Sequence, residues 1–412
     1  MGWNGHWDSD AVALVWSPEL LDYRFGEGHP FDSRRLELLL DLLRSARLLP
    51  ERDLLPARRA RREELEVAHD GEYLAALERM SRSGAAEPGA GERYGLGTED
   101  NPVFPGMAEA AAWVAGGALE AADAVGSGRL LHVFHPAGGL HHARRGRASG
   151  FCLVNDAVLA VERLRRAWGM RVAYVDLDAH HADGVQAAFE EAGDVLFISL
   201  HETGRYLFPG SGFLDERGRG AGAGRIWNVP LDAYTEDASW IEAFRRVVPP
   251  LVERFAPDVL VSQHGADGHR LDPLTHLALT TESYRVAGES LHRLAHELCD
   301  GRWLALGGGG YAVWEVVPRV WALLWSEMSG RPLPERLPEA WLQRWQPFSP
   351  VPLPGSFLDP GSGEPGAFPP IPRRAAIEAI NRRTVDRLLA GPRLSGGAAL
   401  PGPEGGPGGG GR

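Results

Sequence analysis

The chain reads as an α/β protein with a mostly parallel sheet and helices on both faces. Short apolar runs of strand type alternate with stretches of helical periodicity, the pattern left when crossover helices join parallel strands. With 412 residues, 44% of them hydrophobic and 24% charged, the chain can bury one large core or two ordinary ones. The apolar runs also stop on polar, chemistry-bearing segments. In open α/β sheets ligands bind beyond the carboxyl ends of the strands, so these segments are expected to share one cleft.

Residues 130–134 form the first expected strand, running into HPAGGLHHA, and 155–168 the helix after it. Residues 172–175 combine β-branched and aromatic side chains, as a buried strand does, and lead into DLDAHHADG before a helix at 185–191. Strand 195–200 ends at LHETGRYLFPG, helix 240–255 follows, and strand 259–262 ends at QHGADGH. Helix 281–298 and strand 303–306, which ends at GGGGY, complete the series. We read residues 1–345 as a catalytic body and 346–412 as a Pro/Gly-rich extension, with a helix at 373–389 and a disordered end. Whether that helix packs on the body or on a partner is open at this level.

The formal charge of −12 argues against nucleic acid as a partner, because phosphate binding needs clustered positive charge. All the cationic residues are arginine, and the cluster at 58–62 is followed at once by Glu63, Glu64 and Glu66, as on a solvated helix face. Two cysteines cannot build a disulfide framework, and the opening MGWNGHWDSD has neither a basic nor an apolar leader region. No run approaches the roughly 20 apolar residues of a membrane span. The expectation is a cytoplasmic protein without membrane integration; its oligomeric state is not readable.

The densest chemistry lies at 176–183. Asp178 and His180 are two apart, and in extended backbone residues i and i+2 face the same side, so a carboxylate and an imidazole can converge on one ion. Asp176 and Asp183 flank them and could orient neighbouring imidazoles. A hydrogen-bonded turn is the plainer reading of the same pattern. His141 and His142, a tandem pair in a glycine-bearing loop, are badly placed for a core. Asp267 could add a third oxygen, and the glycines before Tyr311 present a phenol on a flexible loop, though without the spacing of a dinucleotide site.

Taken in order, HHARRGRASGFCLVNDAV, YVDLDAHHADGVQ, SLH, FPGSG, QHGAD and GGGGY resemble the zinc-dependent histone deacetylase family over about residues 10–330. YGLGTEDNPVFPGM, HGADGHRLDPLTHL and EGHPFDSRRL resemble the bacterial acetoin utilization deacetylases within it. The resemblance implies a three-layer arginase/deacetylase-like fold and assigns roles. Asp178, His180 and Asp267 would hold a divalent ion, normally Zn2+ with Fe2+ as the alternative. His142, paired with Asp183, would act as general base toward water; His141, paired with Asp176, would stabilise developing charge; Tyr311 would donate to the oxyanion. Phe151 and Phe208 would wall an acyl-amine tunnel with Leu274 at its mouth. The Gly150 carbonyl would accept the scissile N–H, and Asp100, with Glu99 as rival, would hold the substrate at the rim. A K+ site is implied at backbone oxygens of Asp176, Asp178, His180 and Leu200 with the side chains of Asp176 and Ser199.

The resemblance points to acetyl-lysine on proteins as substrate, acetyl-CoA synthetase being the natural candidate in acetoin and acetate metabolism. A small acetylated amine such as an acetylpolyamine is the alternative. An arginase-like ureohydrolase fits less well, because Asp267 is followed at i+2 by His269 rather than by a second bridging acid. A non-catalytic acyl-ligand sensor is disfavoured because every catalytic position is filled. His269 itself is expected to be hydrogen-bonded within its loop, and His181 to point away from the ion as a structural residue.

Overall fold

In the computed structural model, which describes residues 11–361 and 363–391, eight segments are extended: β1 (Val12–Trp16), β2 (Leu54–Pro56), β3 (His132–His135), β4 (Val172–Asp176), β5 (Val195–Glu202), β6 (Ile226–Leu231), β7 (Val259–Gln263) and β8 (Trp303–Leu306). They form one sheet in the order β2-β1-β3-β8-β7-β4-β5-β6, and every pairing is parallel. The central strands are buried along their whole length, which is why their sequences run apolar instead of alternating. The five strands expected to end on chemistry, β3, β8, β7, β4 and β5, are contiguous in this order. Their carboxyl ends therefore open on the same edge.

The helices fall into two groups. Met107–Gly126 packs on Asp156–Trp168, whereas Thr281–Leu298 packs on Asp237–Phe255 and Val317–Ser329. Strands β3 and β4 each touch a helix from both groups, so the sheet is covered on its two faces. Two strands escape periodicity reading for physical reasons: β2 has three residues ending in a proline, and edge strand β6 carries Asn228 and Pro230. Helix Met107–Gly126 is alanine-rich and buried nearly all round, so it shows no amphipathic stripe.

The segment after residue 345 is stitched to the body. The helix expected at 373–389 spans Arg374–Ala390 and packs against Asp237–Phe255 and β6. Its buried Asn381 accepts from the Asp232 N–H at 2.9 Å and donates to Thr235 Oγ1 and Ser239 Oγ. The end expected to be disordered, PGPEGGPGGGGR at 401–412, and the opening ten residues lie outside the described residues. No described helix is long and apolar enough to cross a membrane.

Asp359 is the second stitch. It takes a hydrogen bond from His269 Nε2 at 2.8 Å, two from Arg319 at 3.0 Å and one from the Thr281 N–H at 2.9 Å. His269 and Arg319 are 0% and 2% exposed. Burial alone would raise the Asp359 pKa, but the His269 hydrogen bond and the Arg319 charge outweigh it and hold the carboxyl well below the usual carboxylate range. A depressed carboxylate contributes stability that is present above its unfolded pKa of about 3.9 and lost as pH falls through the lower folded value. Asp359→Asn is expected to cost about 1.5–3 kcal/mol at pH 7, read as a lower denaturant midpoint, with the deficit narrowing below about pH 4. A deficit that does not change with pH would assign the cost to packing instead.

Candidate active site

β4 delivers Asp178 and His180 just past its last residue, and β7 delivers Asp267 four residues past Gln263. His180 Nδ1 lies 3.0 Å from Asp178 Oδ1 and 2.9 Å from Asp267 Oδ2, and one ligand atom from each residue lies within 4.8 Å of the others. The remaining carboxylate oxygens are held elsewhere. Asp178 Oδ2 accepts from Gln263 Nε2 and the Gly309 N–H, both at 2.7 Å, and Asp267 Oδ1 accepts from the Ala179 N–H at 2.9 Å. Glycine is required at 309, where a Cβ would stand 2.1 Å from Asp267 Oδ2.

This arrangement fits a divalent cation. Burial disfavours charge on His180, yet hydrogen bonds to Asp178 and Asp267 outweigh it and hold the imidazole protonated, well above its ordinary pKa. Burial, reinforced by the charge of Asp178, pushes Asp267 up to about 7. Two buried carboxylates thus draw in whatever positive charge is available, and the facing atoms of the three side chains lie close enough to share one ion.

The histidine pair sits beside this cage. His141 Nδ1 donates to Asp176 Oδ2 at 3.0 Å and His142 Nδ1 to Asp183 Oδ1 at 2.8 Å, leaving the two Nε2 atoms facing each other 3.0 Å apart. Burial opposes charge on both. For His141 the charges of Asp176 and Asp178 win and raise it to about 9; for His142 burial, joined by the charge of His141, prevails over Asp183 and lowers it to about 4. His142 is the neutral partner.

Several residues that hold this arrangement were not singled out from sequence. Arg144 grips Asp183 Oδ2 at 2.8 Å, and the Tyr174 hydroxyl donates to Asp176 Oδ2 at 2.6 Å. Asp156 accepts from the N–H groups of Gly139 and Leu140, and Asn155 Nδ2 donates to the carbonyls of His141 and Ala143. Buried Arg35 donates to the carbonyls of Gly308 and Gly310. Asp272 receives the Tyr311 N–H at 2.8 Å. Each of these lies inside a segment that carries the family resemblance, but no role is assigned to it there.

Tyr311 stands edge-on to His180 at 6.4 Å and to Phe151 at 5.7 Å, while Phe208, 42% exposed, stands edge-on to His142 at 4.9 Å. Leu274 is half-buried two residues past Asp272. The Gly150 carbonyl accepts from the Cys152 thiol at 3.3 Å. Asp100 and Glu99 are both exposed, but only the Asp100 carbonyl is bound, by His29 Nε2 at 3.3 Å, and the His29 ring packs on Phe151 at 4.7 Å. Asp100 therefore sits on the Phe151 side of the opening. His181 is turned away, bonded to Ser211 Oγ and Gln186 Oε1, and His269 faces Asp359.

Phe151 has φ 66°, a strained value for a bulky residue. The Tyr23 hydroxyl restrains it, donating to the Phe151 carbonyl at 2.7 Å and accepting from the Leu153 N–H at 2.8 Å. Tyr23→Phe removes both bonds and is expected to raise KM roughly 5-fold for each 1 kcal/mol of lost restraint, with kcat changing less. An equal fall in kcat at unchanged KM would detach Phe151 from substrate binding.

A family profile described as "Histone deacetylase domain" matches residues 29–328. The chain is 46% identical over 376 residues, 91% of its length and 96% of the relative's, to "Acetoin utilization protein AcuC" of Bacillus subtilis (strain 168). It is 42% identical over 325 residues to the protein of the same name from Staphylococcus aureus (strain MSSA476), covering 79% of this chain and 83% of that one. Among solved structures, an HDAC homolog complexed with SAHA superposes with a TM-score of 0.81 at 31% identity, and an HDAC homolog from Aquifex aeolicus with 0.79 at 30%; each covers 92% of this chain and 99% of the other. The contiguous strand ends, the histidine pair and the aspartate–histidine cage belong together in that light: the chain is a member of the histone deacetylase family, of the AcuC type.

Proposed function

We propose that this protein is a cytoplasmic zinc-dependent deacetylase that removes acetyl groups from lysine side chains of proteins, in the setting of acetoin and acetate metabolism. The observation that carries the reading is the pairing of a buried Asp–His–Asp cage with a neutral His142 one ring away, 5.9 Å from His180. Zinc held by Asp178, His180 and Asp267 would lower the pKa of water from 15.7 to about 7 and polarise an amide carbonyl.

The chain's own residues divide the remaining work. His142, with its Nδ1–H committed to Asp183, offers Nε2 as the base for the attacking water. Asp183 and Arg144 fix that ring, while the cationic His141, anchored on Asp176, opposes the negative charge that develops on the carbonyl oxygen. The Tyr311 hydroxyl is the remaining donor to that oxygen. Burial, reinforced by the charges of Asp267 and Asp178, raises the phenol well above its ordinary pKa, so it keeps its proton. The histidine pair then passes the proton taken from water to the leaving amine. Phe151 and Phe208 would flank the apolar stem, with Gly150 accepting its N–H, Asp100 at the rim and Leu274 at the mouth.

Potassium is part of the proposal. His201 Nε2 donates to the Gly212 carbonyl, so its Nδ1 accepts the Ser199 hydroxyl proton at 2.8 Å. The Ser199 oxygen keeps its lone pairs for a cation shared with the Asp176 side chain and the backbone of Asp176, Asp178, His180 and Leu200.

A competition panel of acetyl-lysine peptides and acetylpolyamines, compared by kcat/KM with zinc and with ferrous iron, tests the reading. Preference for the peptides supports it. Preference for acetylpolyamines would make a small acetylated amine the substrate, and no metal-dependent turnover of either would remove the deacetylase proposal.

A further inference from the structure

A second group of nitrogen ligands lies at the opposite edge of the sheet from the catalytic cage. His132 begins β3 and pairs in register with Trp303, the first residue of β8, so both mark the amino ends of the strands. His292 and His296 lie one turn apart on helix Thr281–Leu298, and their rings meet that of His132. The three ring centroids are 4.7, 4.9 and 4.9 Å apart, and one nitrogen from each histidine lies within 4.8 Å of the other two. Nothing in the proposed deacetylase chemistry uses them.

Two independent observations say what this triangle is for. His132 Nε2 is buried without a hydrogen-bond partner, in a residue 3% exposed, and an orphaned buried nitrogen is a cost that a bound ion would remove. Glu327 Oε1 accepts from His292 Nδ1 at 2.7 Å, which fixes that ring's tautomer and leaves Nε2 as the lone-pair atom, 3.1 Å from His296 Nε2. A carboxylate behind an imidazole is the arrangement that orients and strengthens a metal-ligating histidine.

We propose that His132, His292 and His296 form a second metal site, for a divalent transition ion that prefers imidazole, zinc first and nickel or cobalt after it. Three nitrogen ligands suit these ions, whereas magnesium and calcium demand oxygen. Half-buried His296 is the most accessible of the three ligands. The ion ties helix Thr281–Leu298 to the start of β3, and this role does not depend on the deacetylase reading.

The test uses the untagged full-length protein, stripped with chelator, dialysed against Zn2+ and assayed by elemental analysis. Wild type is expected to hold two equivalents per chain, and Asp178→Ala and His296→Gln one each, with His296→Gln keeping deacetylase turnover within about 2-fold of wild type. Zinc should raise the Tm of Asp178→Ala but not of Asp178→Ala/His296→Gln. Glu327→Gln, which keeps all three ligands, should weaken the second equivalent 10–100-fold. One equivalent in wild type, none in Asp178→Ala, or two in folded His296→Gln would overturn the site.

Discussion

Tyr311→Phe is expected to lower kcat by about 10²–10³-fold, roughly 2.7–4 kcal/mol of barrier, with zinc content unchanged and KM close to wild type. The phenol oxygen is the only atom removed. The ring contacts to Phe151 and His180 and the backbone bond to Asp272 remain, so the loop keeps its position and the cage keeps its ion. What is lost is a donor whose partner carries negative charge only as the reaction proceeds, and an interaction made only in the transition state appears in kcat rather than KM. Steady-state kinetics with elemental analysis separates the outcomes: turnover within 3-fold of wild type would take Tyr311 out of the mechanism, and loss of zinc would make it a scaffold residue.

The parts of this site that are legible in the sequence are those whose chemistry is local. Asp178 and His180 are two residues apart, the tandem histidines are adjacent, and strands β3, β4, β5, β7 and β8 announce themselves as apolar runs ending on polar segments. The supports are not local. Arg35 reaches Gly308 across 273 residues, Gln263 reaches Asp178 across 85, and His269 meets Asp359 across 90. Only the parallel sheet brings these partners together, and no periodicity encodes such pairs. The triangle of His132, His292 and His296 shows the same limit. The spacing of 292 and 296 is visible along a helix, but the third ring comes from a strand 160 residues earlier, and the plain reading of such a pair is a solvated face.

Asp178→Ala is expected to abolish deacetylase turnover and to lower zinc content by one equivalent per chain. The side chain does two things at once: Oδ1 faces His180 Nδ1, and Oδ2 takes the Gln263 and Gly309 donors at 2.7 Å. Removing it leaves His180 and Asp267 as the remaining ligands, one short of the three protein ligands that catalytic zinc sites use, and frees the Gly309 N–H next to Tyr311. The loss therefore combines a missing ion with a loosened phenol loop, which is why it should exceed that of Tyr311→Phe. The deficit should persist at saturating zinc, because it comes from a missing ligand and not from a lower occupancy that mass action could restore. Asp178→Asn keeps the shape and the Oδ1 acceptor with less charge, so it should recover part of the ion binding at high zinc and little of the turnover. Full zinc content in Asp178→Ala, with both equivalents present, would show that the ligand set is wrong; recovered activity at high zinc would show that Asp178 tunes affinity without completing the site.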